Sequence, residues 1–480
     1  MPQPRGAAVF DLDRTLLAGG SGPIIGEALR RVGLLTDRSK GIESLAFRMF
    51  DLVGETYPSM LITRQGARAA SGWSVELVEK AAELAAEPLR RAVLPYAHHL
   101  FDEHREAGRP LVLATTTPVT LVAPLAEALG FDDVIATRYG EQDGRFDGSI
   151  DGEFVWGKGK ARAVAEWAGA HDIDLDQSYA YSDSYYDVPL LSMVGHPRAV
   201  NPDPRMLAMA TLRRWPVLHL DVPDGIPKLA GVEPQQVLFQ LARPQFMPWV
   251  RFRTAGVEKL PRNGAAVLVG NHRSYFDPLA IGYLLAKRGR PVRFLGKREV
   301  FDAPVVGDVV KALGGIPVDR GTGSDAPLRR AELALGAGEL VALMPQGTIP
   351  RGPAFFDPVL KGRWGAAKLA AASGVPVIPI GIWGTEKVWP RSEKVPNVVN
   401  VFSPPTVSLV VGDPVEGLTG DLDTDTERIM EAISALLPAA ARRPYEPTPE
   451  GLARTYPGGT VPADTDEAAE HEVERRPGTD

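Results

Sequence analysis

Asp11 and Asp13 stand one residue apart, directly after the apolar run Ala7-Ala8-Val9-Phe10, in the string Val9-Phe10-Asp11-Leu12-Asp13-Arg14-Thr15. Side chains two apart at a strand end can point the same way, so both carboxylates can share one pocket. Two such charges repel, and a divalent cation or a shared proton relieves the repulsion. The pair therefore suits phosphoryl chemistry with Mg2+, which takes a few carboxylate oxygens together with water and substrate phosphate. Alone, it equally fits a solvated turn that closes a strand. Much further along, Gly270-Asn271-His272-Arg273-Ser274-Tyr275-Phe276-Asp277-Pro278 offers a histidine with an aspartate five residues later. Five residues do not share one face of a straight helix. Asp277 before Pro278 instead reads as a helix N-cap with Pro at the first helical position. The turn before that cap lets the carboxylate fold back on the imidazole, fix its tautomer and stabilise the imidazolium. Such a base could draw a proton from an alcohol attacking a thioester.

Other strand ends add to the first pair. Thr115-Thr116-Thr117-Pro118 follows the apolar run Leu111 to Ala114 and supplies hydroxyl and main-chain donors. Gly157-Lys158-Gly159-Lys160-Ala161 puts cations at a helix start, where backbone N–H groups also favour anions. Ser182-Asp183-Ser184-Tyr185-Tyr186-Asp187 closes the run Tyr179-Ala180-Tyr181 with two more carboxylates. Apolar runs alternating with helical stretches imply a doubly wound parallel sheet, an α/β fold whose ligands lie beyond the carboxyl ends of the strands. Residues 18–92 read as a helical insertion above that sheet, with Pro88 and Pro95 marking its late boundary. Asp143-Gly144 carries hairpin turn chemistry.

This four-part pattern resembles the haloacid dehalogenase superfamily of phosphatases, in the branch near phosphoserine phosphatase, over about residues 5–218. The resemblance implies Asp11 as the nucleophile that forms an aspartyl-phosphate and Asp13 as acid and then base. It implies Thr115 and Lys160 as holders of the phosphoryl group, with Lys158 the competing lysine. It also implies Mg2+ held by Asp11, the Asp13 carbonyl and Asp183, with Asp187 supporting the metal shell. The insertion would be the cap that closes over a phosphomonoester substrate.

The second half alternates again, with strands expected at Ala265 to Val269, Val292 to Leu295, Leu340 to Met344 and Val375 to Ile382, the last broken by two prolines. Around it lie Gly296-Lys297-Arg298, Gly314-Gly315-Ile316-Pro317-Val318-Asp319-Arg320 and Met344-Pro345-Gln346-Gly347-Thr348-Ile349-Pro350-Arg351-Gly352. In this order, after the His–Asp pair, these blocks look like the glycerolipid acyltransferase family that includes lysophosphatidic acid acyltransferases, over roughly residues 240–440. The resemblance implies an α/β acyltransferase domain with His272 as base and Asp277 as its orienter. Lys297, Arg320 and Arg351 would contact phosphate, and Gly347 and Thr348 would lie on the substrate loop. Acyl-CoA or acyl carrier protein would be the donor and a lysophospholipid, foremost 1-acylglycerol 3-phosphate, the acceptor. The family loop reads Pro-Glu-Gly-Thr where this chain has Pro345-Gln346-Gly347-Thr348. Gln346 keeps the size and reach of glutamate without its charge.

The whole chain sets the frame. At 480 residues it exceeds one ordinary hydrophobic core. The expected division is a phosphatase domain at 1–220, a Pro-rich linker at 221–235, an acyltransferase domain at 236–441 and a disordered polar tail at 442–480. No cysteine is present, which excludes disulfides and thiolate sites. A formal net charge of −7 speaks against broad nucleic-acid binding. The start lacks the apolar core of a signal peptide, and no apolar run is long enough to span a bilayer. The expectation is thus a cytoplasmic enzyme, peripheral on the inner face of the membrane. Its candidate membrane contact is the aromatic, aliphatic and basic stretch from Val237 to Arg253, which reads equally as a core helix at the domain junction. Two narrower readings stand beside the bifunctional one: a phosphatase whose second domain only docks lipid, and an acyltransferase whose first domain is a scaffold.

Overall fold

The computed structural model describes residues 5–36, 64–223, 225–228, 231–302, 306–318 and 326–461. The chain forms two compact units, Met1–Asp224 and Gly225–Asp480.

The first unit is built on a seven-stranded sheet. Its strands are β1 (Ala8–Phe10), β2 (Leu111–Pro118), β3 (Asp133–Gln142), β4 (Arg145–Asp151), β5 (Tyr179–Ser182), β6 (His196–Val200) and β7 (Val217–Leu218). Their order is β4-β3-β2-β1-β5-β6-β7. All neighbours are parallel except β3 and β4, a hairpin turned by Asp143 and Gly144, both at positive φ. β1 is fully buried because both its faces are covered. Ala8 and Phe10 pack into one core layer and Val9 into the other. Phe10 stacks on Tyr181 of β5 at 4.4 Å and meets Phe101 and Phe131 edge-on. This aromatic floor fixes the register of β1 against β5, with Phe10 opposite Tyr181. Asp11 and Asp183 therefore emerge at the same end of neighbouring strands.

Helices Gly22–Arg31 and Val75–Ala92 occupy the expected insertion; residues 37–63 lie outside the described ones. Pro88 sits inside the second helix and does not end it. Its missing N–H concerns the carbonyl of Leu84, a residue on the exposed side of that helix, where water can serve.

The second unit holds another seven-stranded sheet: β8 (Arg251–Ala255), β9 (Ala266–Gly270), β10 (Val292–Lys297), β11 (Ile316–Val318), β12 (Leu340–Leu343), β13 (Val377–Trp383) and β14 (Thr406–Val411). Its order is β11-β10-β12-β9-β13-β14-β8, and only the β13–β14 pair is antiparallel. Ala266 and Leu268 face one core layer and Val267 and Val269 the other. Contrary to the expected break, β13 runs unbroken between β9 and β14, although it contains Pro379. N–H and C=O of one strand residue point to the same side, and the Pro379 carbonyl accepts from Gly412 on the β14 side. The antiparallel ladder starts only at Ile380, so the absent N–H leaves the pairing with β9 intact.

Two boundaries differ from the sequence reading. The expected linker ends in residues that belong to the second unit. Glu233 is buried and bonds the Arg293 guanidinium at 2.8 Å, while Gln235 pairs with both main-chain groups of Val292. The polar tail also folds in part. Helix Pro449–Ala453 is capped by Thr448, and Thr455 and Tyr456 are buried. Thr455 Oγ1 accepts from Gly352 N at 2.8 Å, and Tyr445 packs on Phe356. Composition alone hid these contacts, because two aromatic rings suffice to dock an otherwise polar segment.

Candidate active sites

At the carboxyl end of β1 the chain leaves the strand through the turn Leu12–Leu16, where Arg14 takes φ 60°. That turn carries Thr15 back beneath β5. Thr15 Oγ1 accepts from Asp183 N at 2.9 Å and lies 3.3 Å from Asp183 Oδ1. Arg14 Nε stands 3.4 Å from Asp183 Oδ2. Lys160 opens inward from helix Lys158–Ala170 and is 1% exposed, whereas Lys158 faces solvent. Its ammonium donates to Asp11 Oδ1 and to Asp187 Oδ2, each at 2.7 Å. Ser182 Oγ donates to the same Asp187 oxygen, while Asp187 Oδ1 is buried without a hydrogen-bond partner.

Asp13 accepts from the main-chain N–H of Ser21 and from Thr117 Oγ1. Burial pushes its pKa above the usual carboxylate value, against the opposing pull of the Ser21 and Thr117 hydrogen bonds and of Lys160. A proton is thus held more readily there than on an exposed aspartate. Thr115 is buried on β2, and its hydroxyl accepts from Thr117 N at 3.2 Å. Thr117, two residues beyond Thr115, is the threonine that touches Asp13. Thr15, Arg14, Ser182 and Ser21 were also overlooked as partners. Arg14, Thr15 and Ser182 lie inside the strings that carry Asp13 and Asp183, and Ser21 is an N-cap ahead of Gly22-Pro23.

Four carboxylates set against one lysine and one arginine leave an excess of negative charge here. That excess, the orphaned Asp187 oxygen and the all-oxygen donor set are compatible with a small hard cation. Among the described residues, no group of three or more His, Cys, Asp or Glu side chains forms a ready metal cage. An ion here would have to complete its shell with main-chain carbonyl, water and substrate oxygens.

In the second unit, β9 runs into the turn Asn271–Phe276. Asn271 pins that turn to β13 through reciprocal bonds with Ile382, at 2.9 and 2.8 Å. Asp277 is wholly buried, and one of its oxygens accepts from His272 Nδ1 at 2.8 Å, Arg273 N at 2.6 Å and Ser274 N at 2.9 Å. Asp277 is therefore not the N-cap but the first helical residue of Asp277–Ala286. Phe276 takes the cap position, and Asp277 uses its carboxylate on the preceding turn rather than on the helix. With Nδ1 committed to the carboxylate, Nε2 is the imidazole nitrogen left for a reacting partner.

Gln346 Oε1 accepts from His272 N at 2.6 Å. Gly347 follows at φ 73°, and Thr348 is nearly buried. His272, Asp277 and Gln346 are thus in direct contact, with Gly347 and Thr348 continuing the same loop. Lys297 closes β10, two places from β9 at the same end of the sheet. Arg351 lies at the far end of the loop, beside Gly352–Phe355. Arg320 lies outside the described residues. Arg273 is held by Glu386 at 3.1 Å and lies over the rings of Trp383 and Phe355. Within the Val237–Arg253 stretch, helix Pro234–Leu241 exposes Val237, Leu238 and Leu241. Val250 is buried, by contrast, and Phe252 stacks on Tyr283 at 4.0 Å. No helix among the described residues is long and apolar enough to cross a membrane.

Residues 8–192 match the family model of haloacid dehalogenase-like hydrolases, and residues 251–383 match that of acyltransferases. The "inhibition of morphological differentiation protein" of Streptomyces azureus is 37% identical over 46% of this chain and 80% of its own length. The phosphoserine phosphatase SerB1 of Mycobacterium tuberculosis is 36% identical over 44% of this chain and 70% of its own. Among solved structures, a Bordetella pertussis protein of unknown function is 31% identical over 45% of this chain and all of its own, at TM-score 0.40. The 1-acyl-sn-glycerophosphate acyltransferase PlsC of Thermotoga maritima is 24% identical over 42% of this chain and 77% of its own, at TM-score 0.32. The chain belongs to the haloacid dehalogenase-like hydrolase family, as a phosphatase domain, and joins to it in one polypeptide a domain of the acyltransferase family.

Proposed function

We propose that the chain is a bifunctional enzyme of lipid metabolism. Its second unit moves an acyl group from acyl-CoA or acyl carrier protein to a lysophospholipid, foremost 1-acylglycerol 3-phosphate, giving phosphatidate. His272 Nε2 takes the proton of the acceptor hydroxyl as that oxygen attacks the thioester carbonyl. The imidazolium then returns the proton to the departing thiolate. Asp277 holds the tautomer and offsets the transient positive charge. Lys297, Arg320 and the Gly347–Thr348 loop contact the acceptor's phosphate and backbone. The observation that carries this reading is the 2.8 Å bond from His272 Nδ1 to a buried Asp277.

The first unit hydrolyses a phosphomonoester. Asp11 attacks phosphorus and becomes the aspartyl-phosphate. Asp13 gives its proton to the leaving oxygen and later takes one from the water that frees phosphate. Lys160 and Thr115 hold the transferring group, and Asp187 holds Lys160. Asp11, the Asp13 carbonyl and Asp183 would hold Mg2+, with Asp187 in support. When bound, the ion supplies positive charge against the phosphoryl oxygens. Acting on lipid substrates, the enzyme would sit at the membrane as a peripheral protein, on its cytoplasmic face.

Incubating the full chain with lysophosphatidate, acyl-CoA and Mg2+ tests the reading. Phosphatidate should form and depend on acyl-CoA, and phosphate release from a phosphomonoester panel should depend on Mg2+. Absence of any acylated product would reject the transferase assignment. Phosphatidate that accumulates without phosphate release would show that the two activities do not act in sequence on this lipid.

A further inference from the structure

The segment Lys394–Pro405 is the later part of the connection from β13 to β14 and is unusual for a surface loop. Between Val395 and Pro405 it carries no charged residue, only Val, Phe, Asn, Ser and Pro. Five of its apolar side chains face outward: Val395 is 69% exposed, Val398 46%, Val399 81%, Val401 42% and Phe402 100%. Single exposed apolar residues are ordinary, but a contiguous group of this kind marks a surface that meets something apolar. Here we propose that this loop is the element that inserts into a phospholipid bilayer and brings the acyltransferase site onto its lipid acceptor. The proposal rests on the lipid acyl-transfer reading and extends it to a surface.

Three features favour a bilayer over another occupant. The loop answers much of its own backbone polarity, which entry into hydrocarbon demands. Asn397 Oδ1 accepts from Val399 N, Asn400 Oδ1 accepts from Ser403 N, and Asn397 N donates to Val388 O. Pro396, Pro404 and Pro405 have no N–H to satisfy. Its charge lies at the root rather than the tip: Lys387, Glu393 and Lys394 are exposed there, and the two lysines suit headgroup phosphates. Finally, the root is bonded to the candidate acyltransferase site. Ser274 Oγ donates to Trp389 O at 2.5 Å, within the turn that carries His272. Arg391 donates to Ile349 O, on the loop that carries Gln346. A loop anchored in hydrocarbon at its tip and in both site segments at its root would hold the imidazole at the headgroup level.

The test is partition of the full chain onto vesicles of phosphatidylcholine with phosphatidylglycerol, without substrate. Replacing two apolar tips with charge, Val399→Asp with Phe402→Asp, should lower vesicle-bound protein by about tenfold or more. Acyl transfer to a short-chain, water-soluble lysophosphatidate should stay within about twofold, because neither residue belongs to the site. A second variant guards against misfolding. Phe402→Trp should show a blue-shifted emission when vesicles are added and none without them. Unchanged partition of the double aspartate variant, or no spectral shift, overturns the proposal. A shift that needs no vesicles and follows protein concentration also overturns it, in favour of a second copy as occupant. A chain that partitions through this loop yet never transfers an acyl group sinks the acyl-transfer reading alone.

Discussion

The main-chain N–H of His272 donates to Gln346 Oε1 at 2.6 Å, across 74 positions of sequence. A backbone N–H needs an acceptor, so this contact fixes the amide with its oxygen on the N–H and its NH2 group away from it. Glutamate would serve the same N–H equally well, with a second acceptor in place of the NH2 donor. The loss of charge at this position therefore leaves the support of the imidazole intact.

The consequence is a contrast between two variants. Gln346→Glu should keep acyl transfer within about a few-fold, because the carboxylate still accepts from the same N–H. Gln346→Ala removes the acceptor from a partly buried N–H, a loss of roughly 1–3 kcal/mol, and should lower kcat by about tenfold to a hundredfold. Steady-state kinetics on both variants check this, with KM expected to change less than kcat.

Lys160 is a second point of leverage. It pairs with Asp11 and Asp187 at once in a buried setting. Lys160→Met leaves two buried carboxylates without their shared cation, a change that costs about 3–5 kcal/mol when one partner of a buried pair is removed. Phosphate release should fall on the order of a hundredfold to a thousandfold. Thermal unfolding of the first unit should move down in the same preparation, while acyl transfer measured beside it should not change.

A third prediction concerns acid. His104 is fully buried; Arg109 Nε donates to its Nδ1 at 2.7 Å, and its Nε2 lies 2.8 Å from Tyr181 Oη. Burial first, then the charges of Arg109 and Arg198, push its pKa down to about 4. The native state therefore binds fewer protons than the unfolded chain between about pH 4 and the free-histidine value near 6.5. Its contribution is complete above that window and is lost as pH falls through it, by about 2 kcal/mol between pH 7 and pH 5. Amide exchange in β1 and β5 should report this loss. His104→Gln should flatten the pH dependence, and an equal slope in the variant would refute the assignment.

Much of this arrangement was legible because short-range rules governed it. Apolar runs closed by carboxylates located the ends of β1 and β5, and the strands' parallel pairing did the rest. Pro278 fixed a helix start, so the preceding turn had to bring Asp277 back to His272, although the cap itself fell on Phe276. What sequence could not show depended on distant segments meeting. Gln346 against His272, Thr117 against Asp13, and Glu233 on Arg293 leave no local periodicity. Pro379 misled because the rule against proline in a central strand presumes that its N–H faces a partner. Here it faces the side where the ladder has not begun.

The folded tail offers a further test. Gly352 takes φ 55°, and a Cβ there would clash with Tyr456 Oη. Gly352→Ala should destabilise the second unit by about 1–3 kcal/mol from backbone strain and this clash. In a Tyr456→Phe background the penalty should shrink, since the hydroxyl is the offending group. A double-mutant cycle by urea denaturation reads the difference. Strict additivity would mean that Tyr456 does not sit on Gly352.

The central claim is that one polypeptide carries two chemically independent sites, one centred on Asp11 and the other on His272. Measuring phosphate release and acyl transfer side by side in the full-length variants Asp11→Asn and His272→Ala tests it most directly. Each variant should lose one activity by about a thousandfold and keep the other within about twofold. Phosphate release that survives Asp11→Asn, or acyl transfer that survives His272→Ala, would contradict the account.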